Sequence, residues 1–64
     1  MDGWKYWENK KVFIILKNQR KYSGTVLEVE QTGQLYWITI LDKFNNHIGF
    51  SVSEIEIIQE EKNG

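Results

Sequence analysis

The stretch LKNQRKYSGTVLEVE, residues 16–30, places a polar turn between two segments of alternating apolar residues. Gly24 stands in the middle of the second segment, although glycine weakens the interior of a strand. An interior glycine marks a tight bend or a close approach of two backbones, where a side chain would obstruct the chain. The stretch therefore predicts one long strand that is bent at Gly24.

Over the chain as a whole, β-branched and aromatic residues recur in five short segments, as in strands. The predicted strands are residues 12–16, 22–30, 35–41, 48–52 and 55–58. The connections between them are short and rich in Asn, Gly and Asp, which favours turns between antiparallel neighbours. Antiparallel strands in so short a chain must curve to cover a core, so we expect an all-β, strongly bent five-stranded barrel.

The two ends of the chain differ from this pattern. Asp2 is a candidate N-cap, and Trp4 and Trp7 share one helical face, so residues 2–9 are expected to form a short helix. Residues 60–64 have the composition of a frayed tail. Residues 1–64 are therefore interpreted as a single domain, with the barrel in residues 11–59.

Composition limits the classes of protein that the chain can belong to. Its 64 residues, 41% of them apolar, provide for one small core. The chain has no cysteine, which excludes disulfides and thiolate metal sites, and its net charge of −1 gives no overall positive field. Lysines concentrate in residues 5–21 and glutamates near the C-terminal end. This distribution indicates either one basic side or lysines that solvate strand ends.

The sequence has no pattern of a targeting or membrane-spanning segment. The first residues lack a basic start followed by an apolar run, and no later apolar run reaches membrane-spanning length. We therefore expect a cytoplasmic location and no membrane partner.

No combination of residues indicates catalysis. His47 is the only histidine, and a lone histidine in a loop is usually solvated. Glu28 and Glu30 share a strand face, yet no nucleophile or metal-ligand spacing accompanies them. We expect no enzyme activity, no metal and no cofactor.

The residues around the opening stretch resemble the first motif of the Sm and Sm-like family. The matching positions are Val12, Ile14, Leu16, Lys17, Tyr22, Gly24, Thr25 and Val26. The resemblance covers nearly the whole chain. It implies an SH3-like (Sm-like) barrel with a short N-terminal helix, assembly into a homo-oligomeric ring, and binding of single-stranded RNA at a central pore.

The resemblance also implies where RNA would bind. The loop after the second strand holds the base in such proteins, and here it offers Gln31 and Gln34, followed by Tyr36. Glu30 corresponds to the acidic residue of the family motif and Gln34 to its amide, in either of two registers that differ by one residue. The loop before the last strand normally supplies a cation, and residues 50–54 contain none. Phe44 is a further candidate, because an aromatic residue on an Asn-rich hairpin either stacks on a base or folds back onto the barrel.

Ring assembly in the family pairs the fourth strand of one subunit with the fifth strand of the next. The implied interface residues are Ile48, Phe50, Val52 and Ile57. An independent observation is that Leu35 and Trp37 alternate with an inward-facing set, so the strand is apolar on both faces and its exterior needs a cover. A neighbouring subunit or the N-terminal helix can provide that cover.

Two functions therefore follow from the sequence. The first is an Sm-like ring that binds single-stranded RNA weakly. The second is a barrel of the same fold that serves as a protein-interaction or structural scaffold module and binds no RNA. The near-neutral charge, the missing cation and the apolar exterior favour the second function, whereas the family resemblance favours the first.

Overall fold

The computed structural model describes residues 3–61 and contains one five-stranded antiparallel sheet. The strands are β1 (Lys11–Leu16), β2 (Lys21–Thr32), β3 (Leu35–Leu41), β4 (His47–Ser51) and β5 (Ile55–Glu60). A 3-10 turn, η1 (Gly3–Trp7), precedes the sheet, and a second one, η2 (Val52–Glu54), joins β4 to β5. The predicted all-β fold of five antiparallel strands is confirmed.

Strand β2 is continuous and connects the two halves of the sheet. Its residues 21–25 pair with β1, and its residues 25–32 pair with β3, with an irregularity between Val26 and Glu28. A Cβ atom built at Gly24 would lie 2.4 Å from the carbonyl oxygen of Leu41. The predicted close backbone approach at Gly24 is confirmed, because only glycine fits against this carbonyl group.

The sheet is open, in contrast to the predicted barrel. The strand order is β4-β3-β2-β1-β5, which leaves β4 and β5 as the two edges. Only η2 connects these edges, and the step from Ser51 to Ile55 spans at most about 14 Å when fully extended. The sheet must therefore curl until its edges approach each other at one end, but no strand pairing closes it within residues 3–61.

The core fills the concave side of this curved sheet. Its buried members are Val12, Ile14, Leu16, Val26, Val29, Ile38, Ile40 and Phe50. Tyr22 and Phe50 face each other across the core, with ring centroids 5.5 Å apart. Apolar side chains from four strands thus meet on one side of the sheet, as a small curved sheet requires.

The N-terminal turn closes the part of the core that the strands leave open. Trp4 and Trp7 are half-buried and pack against the core. They do not provide the expected cover of the outward side of β3, where Leu35 and Trp37 remain exposed. The turn is a five-residue 3-10 helix rather than the expected helix over residues 2–9. The proposed N-cap, Asp2, lies outside the described residues.

Residues 8–10 attach this turn to the part of β2 that follows Thr25, the last residue of β2 that pairs with β1. The backbone N–H of Asn9 donates to the carbonyl oxygen of Val26 (2.8 Å), and that of Val26 donates to Lys10 (2.9 Å). The backbone N–H of Val29 donates to Glu8 Oε2 (3.0 Å). Side-chain and linker atoms therefore satisfy the strand groups that β1 is too short to reach.

The C-terminal end is more ordered than the sequence predicts. Glu60 belongs to β5 and pairs with Val12, and the backbone N–H of Glu61 donates to the carbonyl oxygen of Lys11 (2.7 Å). The expected tail over residues 60–64 therefore begins after Glu61, and residues 62–64 lie outside the described part of the chain. No helix in residues 3–61 has the length and apolar character needed to cross a membrane.

Candidate binding surfaces

The hairpin between β2 and β3 brings together three of the four residues predicted to bind RNA. The strands extend to Thr32 and from Leu35, so the loop expected between residues 30 and 35 is a turn of two residues, Gly33 and Gln34. Gly33 has a φ of 62°, which glycine adopts without strain. Gln31 pairs with Tyr36 across the ladder, and Gln34 is exposed at the tip.

On this hairpin, Gln31 and Tyr36 are held by contacts within the chain, and Glu30 adds a negative charge beside them. Gln31 Nε2 donates to the carbonyl oxygen of Gly33 (3.0 Å), which fixes the amide beside the turn. Tyr36 is half-buried and packs against the core. Glu30 lies next to these residues on the same hairpin and is exposed, so the local charge is negative. An exposed carboxylate at this position opposes the approach of a phosphate group.

Phe44 lies at the other end of β3. Phe44 lies in the loop after Leu41, the last residue of β3, whereas Tyr36 is the second residue of that strand. The five residue steps from Tyr36 to Leu41, at about 3.3 Å each, cover roughly 17 Å. Phe44 is 71% exposed and therefore does not fold back onto the core. The structure thus does not bring Phe44 together with Gln31, Gln34 and Tyr36.

The loop that carries Phe44 is held by Asp42. The backbone N–H groups of Asn46 and Phe44 both donate to Asp42 Oδ1 at 2.9 Å, and the Asn45 N–H donates to the carbonyl oxygen of Asp42 at 3.0 Å. The bonds from Asn46 and Phe44 to the carboxylate, that from Asn46 first, lower the pKa of Asp42 below its ordinary value of 3.8. Lys43 Nζ lies 5.4 Å from the centroid of the Phe44 ring.

The residues predicted to form the oligomer interface have different environments. Phe50 is buried in the core of its own chain, and Ile48 and Val52 are half-buried and pack against that core. Ile57 on β5 is 41% exposed. The ring of Phe50 is therefore not available to a neighbour, and β4 can offer only its backbone edge and the exposed parts of its flanking side chains.

The outward side of β3 carries a second surface, which is apolar. Leu35 is 66% exposed and Trp37 is 46% exposed, as expected from their alternation with the buried Ile38 and Ile40. They border an open groove whose lining residues are Glu30, Thr32, Leu35, Tyr36, Trp37 and Ser51. The sequence predicted the outward direction of Leu35 and Trp37 but not the groove, which depends on how β2 and β4 flank β3.

The titratable residues that the sequence analysis singled out lie apart on the surface. His47 is exposed at the start of β4, and Glu28 and Glu30 are exposed on β2. Within residues 3–61, no group of three His, Asp or Glu side chains could hold a metal ion. What the described residues offer is a set of binding surfaces: the β2–β3 hairpin, the Phe44 loop, the two strand edges and the outward groove.

Comparison of the chain with protein-family models, with curated proteins and with solved structures finds no match.

Proposed function

We propose that the chain is a non-catalytic, Sm-like binding module that assembles with copies of itself through the edges of β4 and β5. The family resemblance implies this pairing, and the strand order supports it because β4 and β5 are the two strands with an unpaired edge. Each subunit would add its β4 to the β5 of a neighbour. Repetition of this contact around a closed rotation gives a ring.

The observation that carries the proposal is that β4 and β5 each have one edge without a paired strand in the described residues. Natural sheets protect an exposed edge with lysine, proline or a bulge, because unpaired N–H and C=O groups otherwise recruit another strand. Strand β4 reads HIGFS, with no lysine, carboxylate or proline. Strand β5 reads IEIIQE and is better protected, because it carries Glu56 and Glu60 and its pairing with β1 is irregular between Ile57 and Ile55. Ile57 adds a partly exposed aliphatic side chain to the β5 edge. The β4 edge is therefore open to pairing, and β5 offers a neighbour its backbone groups beside Ile57.

The test is the mass of the purified chain by light scattering across a range of concentrations. We expect an oligomer, and we expect Ile57→Lys to shift it toward the monomer because the ammonium group would be placed at the interface. Leu35→Lys is the matched control, since it adds the same charge on the outward face and should leave the mass unchanged. A wild-type chain that remains a monomer at all concentrations contradicts the assembly.

As the ligand of this assembly we propose single-stranded RNA, held weakly at the β2–β3 hairpin. The exposed Gln34 amide and the fixed Gln31 amide next to Tyr36 support it, since amides recognise base edges and tyrosine offers a stacking face. Weak binding is expected because the η2 turn has no cation and Glu30 is close by.

Fluorescence anisotropy with labelled oligo-U and oligo-A at low salt tests the RNA ligand. Gln34→Ala should weaken binding, while Asn18→Ala, an amide removed in the β1–β2 turn, should not. If no binding is seen at tens of micromolar protein, about the limit for a weak nucleic-acid module, RNA is not the ligand. The assembly is tested separately by the mass measurement.

A protein-interaction module is the second candidate function. The exposure of Leu35 and Trp37 on the outward face favours it, because soluble proteins seldom leave neighbouring large apolar side chains uncovered without a partner. Affinity capture that recovers nucleic acid and no protein counts against this candidate.

A further inference from the structure

The outward groove beside β3 combines an aromatic ring with a carboxylate. Trp37 and Leu35 provide its apolar surface, and Glu30 is the only charged residue among its lining residues. Glu30 is the direct partner of Trp37 in the β2–β3 ladder, so the two side chains stand side by side on the same face. Glu28 lies two residues before Glu30 on that face of β2 and is also exposed.

The indole of Trp37 packs against β4 at Gly49, where the lack of a side chain leaves room for it. A Cβ atom at Gly49 would lie 2.7 Å from Trp37 Nε1 and 3.3 Å from Cε2, so the indole rests across β4 at this point. A ring that is already positioned loses little conformational freedom when a ligand binds. Tryptophan in such a position is the residue type that most often contributes strongly to binding.

None of the cations in the described part of the chain lies over this ring. Lys10 Nζ lies 4.6 Å from the Tyr6 centroid and Lys43 Nζ lies 5.4 Å from that of Phe44, so two other aromatic rings have a cation from their own chain. Within residues 3–61, Trp37 has no such partner. Tryptophan is the best aromatic acceptor for a cation, and Glu30 beside it would add a charge-assisted hydrogen bond.

We propose that the groove binds an extended, basic segment of a partner protein, in which an arginine or lysine lies between Trp37 and Glu30 and a neighbouring aliphatic side chain covers Leu35. The charge complementarity selects this occupant. A phosphate backbone would meet the Glu30 carboxylate, and a two-fold contact with a second copy would place the same acidic, apolar patch against itself. The proposal does not depend on ring assembly or on RNA binding.

The test is a titration of the full chain followed by NMR of its backbone amides and tryptophan indoles. The probe is acetyl-Leu-Arg-Leu-Arg-Leu-amide, and the comparison peptide carries Glu in place of each Arg. We expect the Arg peptide to shift the Trp37 indole signal and the amides of Glu30, Thr32 and Ser51, and the Glu peptide to leave them unchanged. The Trp37 signal is assigned by its loss in Trp37→Phe.

Three variants locate the binding. Glu30→Gln should weaken it by about two- to fivefold, as for an exposed ion pair, while Glu60→Gln, a carboxylate removed from β5, should have no effect. Gly49→Ala keeps every groove side chain but displaces the Trp37 indole, so it should weaken peptide binding by about tenfold. Its thermal unfolding curve shows whether the variant remains folded.

Several results would overturn the proposal. One is the absence of chemical-shift changes at about 10 mM Arg peptide, where even very weak binding is visible. Others are equal changes with the Glu peptide and changes confined to residues outside the groove. Shifts of the Trp37 signal on dilution of the free protein would assign the groove to a second copy instead. Shifts of the same signals with oligo-U, and not with the Arg peptide, would assign it to RNA.

Discussion

Strand β3 has apolar side chains on both faces, and the two faces have opposite environments. On the inward face, Ile38 and Ile40 are completely buried, whereas on the outward face Leu35 and Trp37 are 66% and 46% exposed. A strand alternates its side chains between faces, so the sequence supplies two apolar sets but does not say which one its own chain covers. The inward set forms the core, and the outward set remains available to a partner.

Each face also has its own glycine, and the two glycines have different roles. Gly24 lies on the inward face, where a Cβ would collide with the backbone of Leu41. Gly49 lies on the outward face, where a Cβ would collide with the end of the Trp37 side chain. A backbone cannot move aside without breaking its ladder, whereas a side chain can rotate. Gly24 is therefore a requirement of the fold, and Gly49 is a determinant of the outward groove.

The largest expected effect comes from Gly24→Val. Its side chain would force β2 away from β3, at a cost that we expect to equal or exceed the net stability of a domain of this size, about 3–5 kcal/mol. The variant should show no cooperative unfolding transition by circular dichroism. Ser23→Val adds a similar side chain at the adjacent exposed position and should unfold like the wild type. Equal behaviour of the two variants would contradict the role of Gly24.

The next effect separates the two faces directly. Ile38→Ala should lower the free energy of unfolding by about 2–5 kcal/mol, because it leaves a cavity in the core. Leu35→Ala, on the outward face, should change it by about 0.5 kcal/mol or less. Urea denaturation of both variants measures the difference. A large loss for Leu35→Ala would mean that the outward face is covered in solution by another molecule.

Gly49→Ala should have a smaller effect on stability. The displaced Trp37 indole can rotate, so we expect a loss of about 1 kcal/mol together with a change in the chemical shift of the Trp37 indole proton. Gly24→Ala is the informative counterpart, since the same methyl group would meet backbone atoms and should cost more. Equal losses for the two alanine variants would remove the distinction between the glycines.

The smallest effect concerns Asp42, whose folded-state pKa is lowered by the N–H groups of Asn46 and Phe44. Because the pKa is lower in the folded state than in the unfolded state, the ionised carboxylate stabilises the fold at pH values above the unfolded-state pKa. This contribution disappears as the pH falls through the folded-state pKa. Asp42→Asn should therefore be slightly less stable than the wild type at pH 7. Urea denaturation over a pH series should show the two converging below the ordinary pKa of 3.8.

The sequence predicts much of the fold because the relevant signals are local. Alternation predicted the five strands to within a few residues at each end, and the position of Gly24 within its strand predicted the close backbone approach. The β2–β3 connection was predicted too long, because Gly33 permits a turn of only two residues. The tail was also predicted too long, since Glu60 pairs with Val12.

The candidate sites depend on contacts between distant segments, and these were harder to predict. Nothing near Phe44 in the sequence shows that its loop lies at the opposite end of β3 from Gln34. Similarly, the position of the Trp37 indole is set by Gly49 on the neighbouring strand. The burial of Phe50 follows from the way the curved sheet brings β4 against Tyr22. The assignments of RNA and of the oligomer interface remain predictions.

The bond from the Val29 amide to Glu8 has a consequence for hydrogen exchange. The amides of Val26 and Val29 are protected by Lys10 and Glu8, which belong to the N-terminal linker rather than to a strand. Their exchange rates should therefore follow local opening of that linker, while the Ile38 and Ile40 amides should exchange only when the whole sheet unfolds. In Glu8→Gln, whose amide oxygen is a weaker acceptor than a carboxylate, faster exchange is expected at Val29 and not at Ile38. The N-terminal segment is in this sense a separate unit of opening, attached to the sheet through the Trp4 and Trp7 side chains, one carboxylate and two backbone bonds.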